Sequence, residues 1–234
     1  MAEPRLSFRG GKRYTALVNK TTPTRRLILA VISALMLSSC LSVETEVDLR
    51  RSDRPELTMR YRMARSLWEL GVFDSDSPER AVPVTRRDAE ETALRHPGVH
   101  VTAHEVRVQG DIVVVEVTYR ADSFAGIQGV WGEGSSGGMV LTEDAADGRS
   151  RLVIPVSVGG VDPDHEQGQL IRGMFEDEVT RITVRAPRDV ANARVESDGH
   201  ELTAPSLQGP LMDAQIPMSD ILLHSSAVVV TVEW

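Results

Sequence analysis

The sequence predicts an α+β domain, built mainly of antiparallel sheet from successive hairpins with a few short helices packed on it. Segments in which apolar and polar residues alternate come in adjacent pairs joined by short turns, which is typical of hairpins. These pairs do not alternate regularly with helices, as a parallel sheet would require. A helix-capping pattern at Thr85 adds one short helix between two of the pairs.

The first hairpin is predicted directly after Cys40, the only cysteine of the chain. In residues 43–49 apolar side chains alternate with three acids, which indicates a half-buried strand. A turn leads into a second alternating segment at 56–63. A short helical turn is expected in 65–72, followed by a loop at 73–83.

The middle of the chain holds the predicted capped helix, at 86–95 after Thr85, and a Pro-Gly pair ends it. A second hairpin follows in residues 99–120, with its turn at Gly110. The run Ile112–Val115 is apolar on both faces, so this strand is expected inside a sheet, with a neighbour on each side.

The remaining segments extend the same pattern of strands and short helices. A short helix is expected near Asp122, then a glycine-rich loop at 129–138 and a third hairpin at 139–158. Asp164 is predicted to cap a helix with an apolar stripe at 170–175. Later strand-like segments lie at 178–185, 192–196, 201–202 and 228–234. One helical turn is expected at 217–223.

A leader precedes the domain. Two arginines, Arg25 and Arg26, are followed by the apolar stretch Leu27–Leu37 and then by Ser38-Ser39-Cys40. This order is typical of a signal peptide, and a mainly apolar stretch of 11 residues is about half of the roughly 20 that a membrane-spanning helix needs. We therefore expect residues 1–39 to be a signal peptide and 40–234 the mature domain. The alternative is a core helix with a buried cysteine.

The segment Leu37-Ser38-Ser39-Cys40 resembles the lipobox of bacterial lipoproteins. The resemblance implies cleavage between Ser39 and Cys40 and attachment of lipid to the Cys40 thiol, which makes the membrane the first expected partner. Two or more acyl chains give a stable anchor, whereas one gives marginal binding. The two arginines partly match the twin-arginine export pattern, but an ordinary basic lead-in is the favoured explanation.

A second, weaker resemblance links the chain to uncharacterised envelope lipoproteins of bacteria, including those of spirochaetes. It is carried by Cys40, the immediate hairpin, the capped helix and the segment Ile216–Ile221 before a valine-rich strand. Residues 52–55 read Ser-Asp-Arg-Pro where such proteins often have Asp-Gly-Ser-Gly. The resemblance implies no activity.

The charge distribution excludes some partners. Residues 41–234 hold 19 basic and 33 acidic residues, a net charge of −14, and both lysines lie in the leader. A domain this acidic is a poor nucleic-acid binder, because such affinity comes from neutralising phosphates. We expect no nucleic-acid partner, and a protein partner would be expected to present a basic surface.

Two clusters contain residue types that bind metal ions. His96, His100 and His104 recur every four residues, but a Pro-Gly pair interrupts a helix there. In a strand His100 and His104 would share a face with Thr102 between them, which favours a solvated sheet face. The cluster Asp162–Glu166 is explained by a helix cap and lacks the oxygen ladder of a calcium loop.

The loop Gly132–Gly138 lacks the Lys-Ser/Thr of a phosphate cradle, which favours a mobile hairpin or lid loop. No catalytic, metal or cofactor residue is predicted, and Cys40 is the one specific site. The favoured function is therefore a non-catalytic, lipid-anchored envelope protein that binds a protein partner or supports an assembly. The alternatives are a carrier of lipid or another apolar ligand and an envelope hydrolase with an unrecognised site. Leu41 stands where aspartate would resemble an inner-membrane retention signal, so the outer membrane is favoured in a cell with two membranes.

Overall fold

The computed structural model describes residues 42–69, 83–134, 138–143, 148–156, 178–223 and 227–234, together with residues 168, 169, 172, 173 and 175. Cys40 and the rest of the leader lie outside these residues, as do most of the predicted loop at 73–83 and most of the predicted helix after Asp164. The structure confirms the α+β class, since two mostly antiparallel sheets carry the described chain together with short helices.

The larger group of described strands forms a sheet in the order β10-β11-β7-β1-β2-β4-β3, called the large sheet below. Its strands are β1 (Ser42–Asp48), β2 (Glu56–Ala64), β3 (Val99–Gln109), β4 (Ile112–Ala121), β7 (Val179–Arg185), β10 (Ser206–Gln208) and β11 (Leu211–Pro217). The first two predicted hairpins are confirmed as β1–β2 and β3–β4. As expected for the valine run in β4, a strand lies on each side of it.

The other group of strands forms the small sheet, in the order β5-β6-β12-β8-β9. Its strands are β5 (Val140–Glu143), β6 (Ser150–Pro155), β8 (Asn192–Ser197), β9 (His200–Thr203) and β12 (Val229–Glu233). The third predicted hairpin is confirmed as β5–β6, and the last predicted strand is β12.

The hydrophobic core lies between the inner faces of the two sheets, where one cluster of buried side chains includes members of both. The strand alternation explains how it forms, because every second side chain of a strand points to the same face. In β2, for example, Leu57, Met59, Tyr61 and Met63 are buried. The small sheet contributes Leu152 and Ile154, among others.

Short helices connect these strands, among them α1 (Arg65–Glu69), α2 (Arg86–Arg95), α3 (Phe124–Gly134) and α4 (Met218–Leu223). The predicted capping box is confirmed at α2, where the Thr85 hydroxyl accepts a hydrogen bond from the Asp88 amide and the Asp88 carboxylate accepts one from the Thr85 amide. Two backbone donors at the helix start are satisfied in this way.

The prediction of a loop at 129–138 was wrong over its first half, because α3 continues to Gly134. Gly129, one of the glycines that suggested a loop, and Gly126 before it are needed for close packing. A Cβ on Gly126 would lie 2.8 Å from Cγ2 of Val99 and 2.9 Å from Cβ of Ala121, and a Cβ on Gly129 would lie 2.4 Å from Nδ1 of His96. The helix therefore approaches the large sheet more closely than an alanine would allow.

Two strands of the large sheet, β10 and β11, were not predicted. Met212, Ala214 and Ile216 alternate with polar residues in β11 and are buried. The strand β11 is defined by its pairing with β7, which runs through seven residue pairs. The β7 strand also pairs in parallel with β1, across more than 130 residues of sequence.

Candidate functional site

The predicted lipidation residue, Cys40, and the cleavage residue Ser39 lie outside the described residues. The described chain begins two residues after Cys40, at Ser42, and Ser42 is already the first residue of β1. Two residues of fully extended chain span at most about 7 Å, so a lipid on Cys40 would hold the start of β1 close to the membrane.

The strand that begins two residues after Cys40, β1, is the middle strand of the large sheet, with three described strands on each side. The register places Ser42 level with Arg62 on β2, then with Val114 on β4 and Arg107 on β3. Neighbouring strands lie about 4.8 Å apart, so the end of β3 is about 14 Å from the start of β1. The start of β1 is therefore continuous with the whole of this sheet.

The outer face of the large sheet, which points away from the core, carries a ladder of ion pairs across its strands. Arg60 on β2 donates to Glu44 on β1 at 2.9 Å and to Glu116 on β4 at 2.7 Å. On the other side of β1, the Nε of Arg181 on β7 donates to Asp213 on β11 at 2.9 Å. The hydrogen bond to Glu116 raises the pKa of the Arg60 guanidinium.

Further pairs lie on the same face. Arg185 on β7 pairs with Glu46 on β1, and Arg120 on β4 donates to Glu56 on β2 at 2.8 Å. Opposite charges that face one another on neighbouring strands stabilise a sheet by roughly 0.2–1 kcal/mol a pair. These acids and arginines are thus engaged with each other, which fits a structural role for the ladder.

Asp48 at the end of β1 is a carboxylate whose pKa is lowered by Arg50. Burial raises the pKa of Asp48, but three side-chain hydrogen bonds and one backbone hydrogen bond from Arg50, with the guanidinium charge, outweigh that effect. The shortest of these contacts, from Nη2 of Arg50, is 2.5 Å. The result is an ionised carboxylate at neutral pH, held by its neighbour.

The two core tyrosines of the large sheet, Tyr61 and Tyr119, are fully or almost fully buried on its inner face. Burial raises the pKa of Tyr61, and its hydroxyl donates to the sulfur of Met59 at 2.9 Å. A neutral phenol in this position packs the core.

The prediction that His100 and His104 share a face was wrong. The β3–β4 register shifts between Val101 and Ala103, so that Thr102 is an extra residue in β3. A bulge of one residue reverses the faces of the side chains that follow it. His100, opposite Arg120, is exposed on the outer face, whereas His104 points to the inner face and its Nε2 lies 3.2 Å from the Val84 carbonyl oxygen.

The third histidine, His96, caps the end of α2 beneath Gly129 of α3, so the three imidazoles do not converge. Among the described residues there is no group of three His, Cys, Asp or Glu side chains arranged to hold a metal ion. The cluster Asp162–Glu166 lies outside those residues.

An acidic hairpin tip forms where β8 meets β9, and sequence patterns did not predict it. Glu196 and Glu201 lie directly opposite each other in the register, and Asp198 occupies the turn between them. The Asp198 backbone is left-handed (φ 53°), and Gly199 follows at 76°. An Asp-Gly pair with positive φ is the signal of a tight hairpin turn, and it could have located this tip.

No helix within the described residues is long and apolar enough to span a membrane.

Comparison with known proteins identifies no family. No family model matches the chain, and no curated protein matches its sequence. The fold is similar to solved structures, among them the folded domain of the LppM protein of Mycobacterium tuberculosis, determined by NMR. That domain is 10% identical in sequence, the alignment covers 82% of this chain and 88% of that chain, and the TM-score is 0.43. A likeness at this level carries no conclusion about function.

Proposed function

We propose that this chain is an envelope lipoprotein, anchored through lipid on Cys40, whose domain acts by binding a protein partner beside the membrane. The observation that carries the proposal is the two-residue step from Cys40 to β1. A tether this short holds the folded domain against the bilayer, where a partner in the same membrane would meet it. In a cell with two membranes, the outer membrane is the proposed location.

The acidic tip of the β8–β9 hairpin supports a partner with a basic surface. Glu196 and Glu201 face each other directly, and like charges in that position destabilise a sheet. A cationic side chain from a partner would relieve this repulsion. The acids of the large sheet, by contrast, are already matched by arginines, as Glu44 and Glu116 are by Arg60.

The anchoring step is tested by replacing Cys40 with alanine. We expect Cys40→Ala to move the protein from the membrane fraction to the soluble or unprocessed fraction. The matched control is Ser38→Ala, which keeps a small residue in the lipobox-like segment and should remain on membranes. Intact mass of the purified native protein should show diacylglycerol and acyl groups on a chain that begins at Cys40, and an unmodified Cys40 would refute anchoring.

The binding step is tested by crosslinking in intact cells and pull-down from gently solubilised membranes. One stoichiometric protein partner is expected, with recovery that falls as salt rises because screening weakens charge attraction. Glu196→Gln with Glu201→Gln should reduce recovery. The matched control removes two exposed acids elsewhere, Glu90→Gln with Glu91→Gln on α2, and should not.

Other outcomes would replace the binding proposal. One phospholipid per chain in the purified protein would indicate a carrier of apolar ligands. Turnover of a substrate that is lost in His100→Ala would indicate a hydrolase.

A further inference from the structure

The outermost strand on one side of the large sheet, β3, is a long edge. It has 11 residues, whereas β10 at the opposite side has three. Within the described residues, β4 lies on one side of β3 and no strand lies on the other. Edges of this kind are open to pairing, and proteins usually shorten, bulge or otherwise protect them.

Within the described residues, the part of β3 after its bulge has neither a further bulge nor a strand that covers it. The bulge lies between Val101 and Ala103, and from Ala103 to Gln109 the pairing with β4 is regular. This segment contains no proline or lysine. Two of its valines are exposed although they point to the inner, apolar face of the sheet: Val106 is 43% exposed and Val108 is 55% exposed.

The charged side chains of this segment would be complementary to those of a second copy of the same segment. On the outer face, Glu105 and Arg107 flank Val106. If a second copy of β3 paired antiparallel with the first around Val106, each Glu105 would face the Arg107 of the other copy. On the inner face, the two Val106 side chains would meet, and each Val108 would face the His104 of the other copy. Every one of these contacts follows from the sequence order and the antiparallel register.

A second copy would also relieve a mismatch inside the chain. Glu105 lies directly opposite another acid, Glu116 on β4, and it pairs with Arg107 two residues along its own strand. An arginine from a new strand on the open side of β3 would give Glu105 a cross-strand partner, as Arg60 does for Glu44 and Glu116.

We propose that two copies of this chain pair through β3, antiparallel around Val106, so that their large sheets form one continuous sheet. The pairing buries Val106 and Val108 and forms two Glu105–Arg107 pairs between the copies. Seven residues of edge make a small interface, so confinement to one membrane, through the anchor proposed above, would raise the effective concentration and favour it.

The anchors are compatible with this arrangement. The start of β1 is level with Arg107 and three strands away from it, so the two attachment points would lie about 35 Å apart on opposite sides of the symmetry axis. The two copies extend in opposite directions from these points. Both lipids reach one membrane when the paired sheet lies along the membrane surface.

The test uses disulfide formation by the full-length protein in its own membranes. Directly opposed residues of antiparallel strands have Cα atoms about 4.5–5.5 Å apart, within the range of a disulfide. Val106→Cys should therefore form a disulfide-linked dimer under mild oxidation. Val140→Cys on β5 and Leu207→Cys on β10 are the matched controls, because their side chains are 46% and 41% exposed on other edge strands, and neither should crosslink at a comparable rate.

Charge reversal supplies a second measurement. In the Val106→Cys background, Glu105→Arg alone or Arg107→Glu alone places like charges opposite each other twice in each dimer. Each should reduce the dimer association constant by about 30-fold, from roughly 1 kcal/mol lost at each of two pairs. The double change Glu105→Arg with Arg107→Glu restores both pairs and should restore crosslinking.

Three results would overturn the pairing: equal crosslinking at Val106→Cys and the two controls, failure of the double charge reversal to restore the dimer, or a mixed disulfide with a different protein. Disulfide formation by the unsubstituted chain tests the anchoring proposal separately from the pairing through β3. A disulfide dimer there would reveal a free Cys40 thiol and would refute lipidation, and Cys40→Ala with Val106→Cys would still test β3 pairing.

Discussion

Helix α3 provides a direct test of the structure, because replacing glycine with alanine should have opposite effects on stability at two of its positions. Gly126→Ala and Gly132→Ala each add one methyl group within the helix. At Gly126 the new Cβ would lie 2.8 Å from Val99 and 2.9 Å from Ala121, whereas at Gly132 the nearest atom is 3.7 Å away. The first contact is a steric clash and the second is ordinary van der Waals contact.

The expected magnitudes follow from these distances. Alanine in a helix is more stable than glycine by roughly 0.5–1 kcal/mol, so Gly132→Ala should raise the free energy of unfolding by about that amount. Overpacking a core costs about 1–3 kcal/mol. Val99 and Ala121 belong to paired strands and cannot move aside easily, so Gly126→Ala should lower the free energy of unfolding by about 1–2 kcal/mol after the helix gain is subtracted.

The assay is thermal unfolding of the purified protein followed by circular dichroism. For a domain of this size, 1 kcal/mol shifts the melting temperature by about 2–4 °C. Gly132→Ala should therefore melt a few degrees higher than the unsubstituted protein, and Gly126→Ala a few degrees lower. A lower melting temperature for Gly132→Ala would refute the extension of α3 to Gly134, since an alanine in a flexible loop gains nothing from helix propensity.

Three further predictions concern single contacts. Asp48 has a lowered pKa in the folded state, so the stability it contributes is present above its unfolded pKa of about 3.9 and is lost as pH falls through its folded pKa. The difference in unfolding free energy between the unsubstituted protein and Asp48→Asn should therefore shrink below pH 4 in urea titrations. A constant difference would contradict the role of Arg50. Thr85→Ala removes the helix cap and should cost about 1 kcal/mol in urea unfolding, whereas Thr85→Ser should keep most of that stability. Trp131→Phe removes the 3.0 Å hydrogen bond from the indole to the Pro155 carbonyl oxygen and should cost about 1–2 kcal/mol in the same assay, so an unchanged unfolding midpoint would argue against that bond.

Local sequence patterns predicted much of the fold because the forces that they report act between near neighbours. The alternation in β1 and β2 placed the right side chains on the inner face, and Leu57 and Met63 are fully buried there. The capping box at Thr85 involves residues three apart and was predicted correctly. The predicted hairpins likewise join strands that follow one another in the chain.

The candidate sites were less predictable because they depend on register between strands. One extra residue in β3 separates His100 from His104, and periodicity alone does not reveal where a bulge lies. The acidic tip depends on which residue of β9 faces Glu196. The ion-pair ladder joins residues as far apart in sequence as Glu46 and Arg185, although the alternating charges of each strand were visible.

The sequence by itself determined the strand and helix patterns and the mainly antiparallel α+β class, and it predicts lipid attachment at Cys40, because each depends on residue order over a short span. Tertiary structure decided which strands meet. It placed β1 in the middle of the large sheet, beside both β2 and the distant β7, and left β3 at an edge of that sheet. It also placed Gly129 of α3, which was predicted to lie in a loop, against His96, so that the missing Cβ leaves the space that this contact needs.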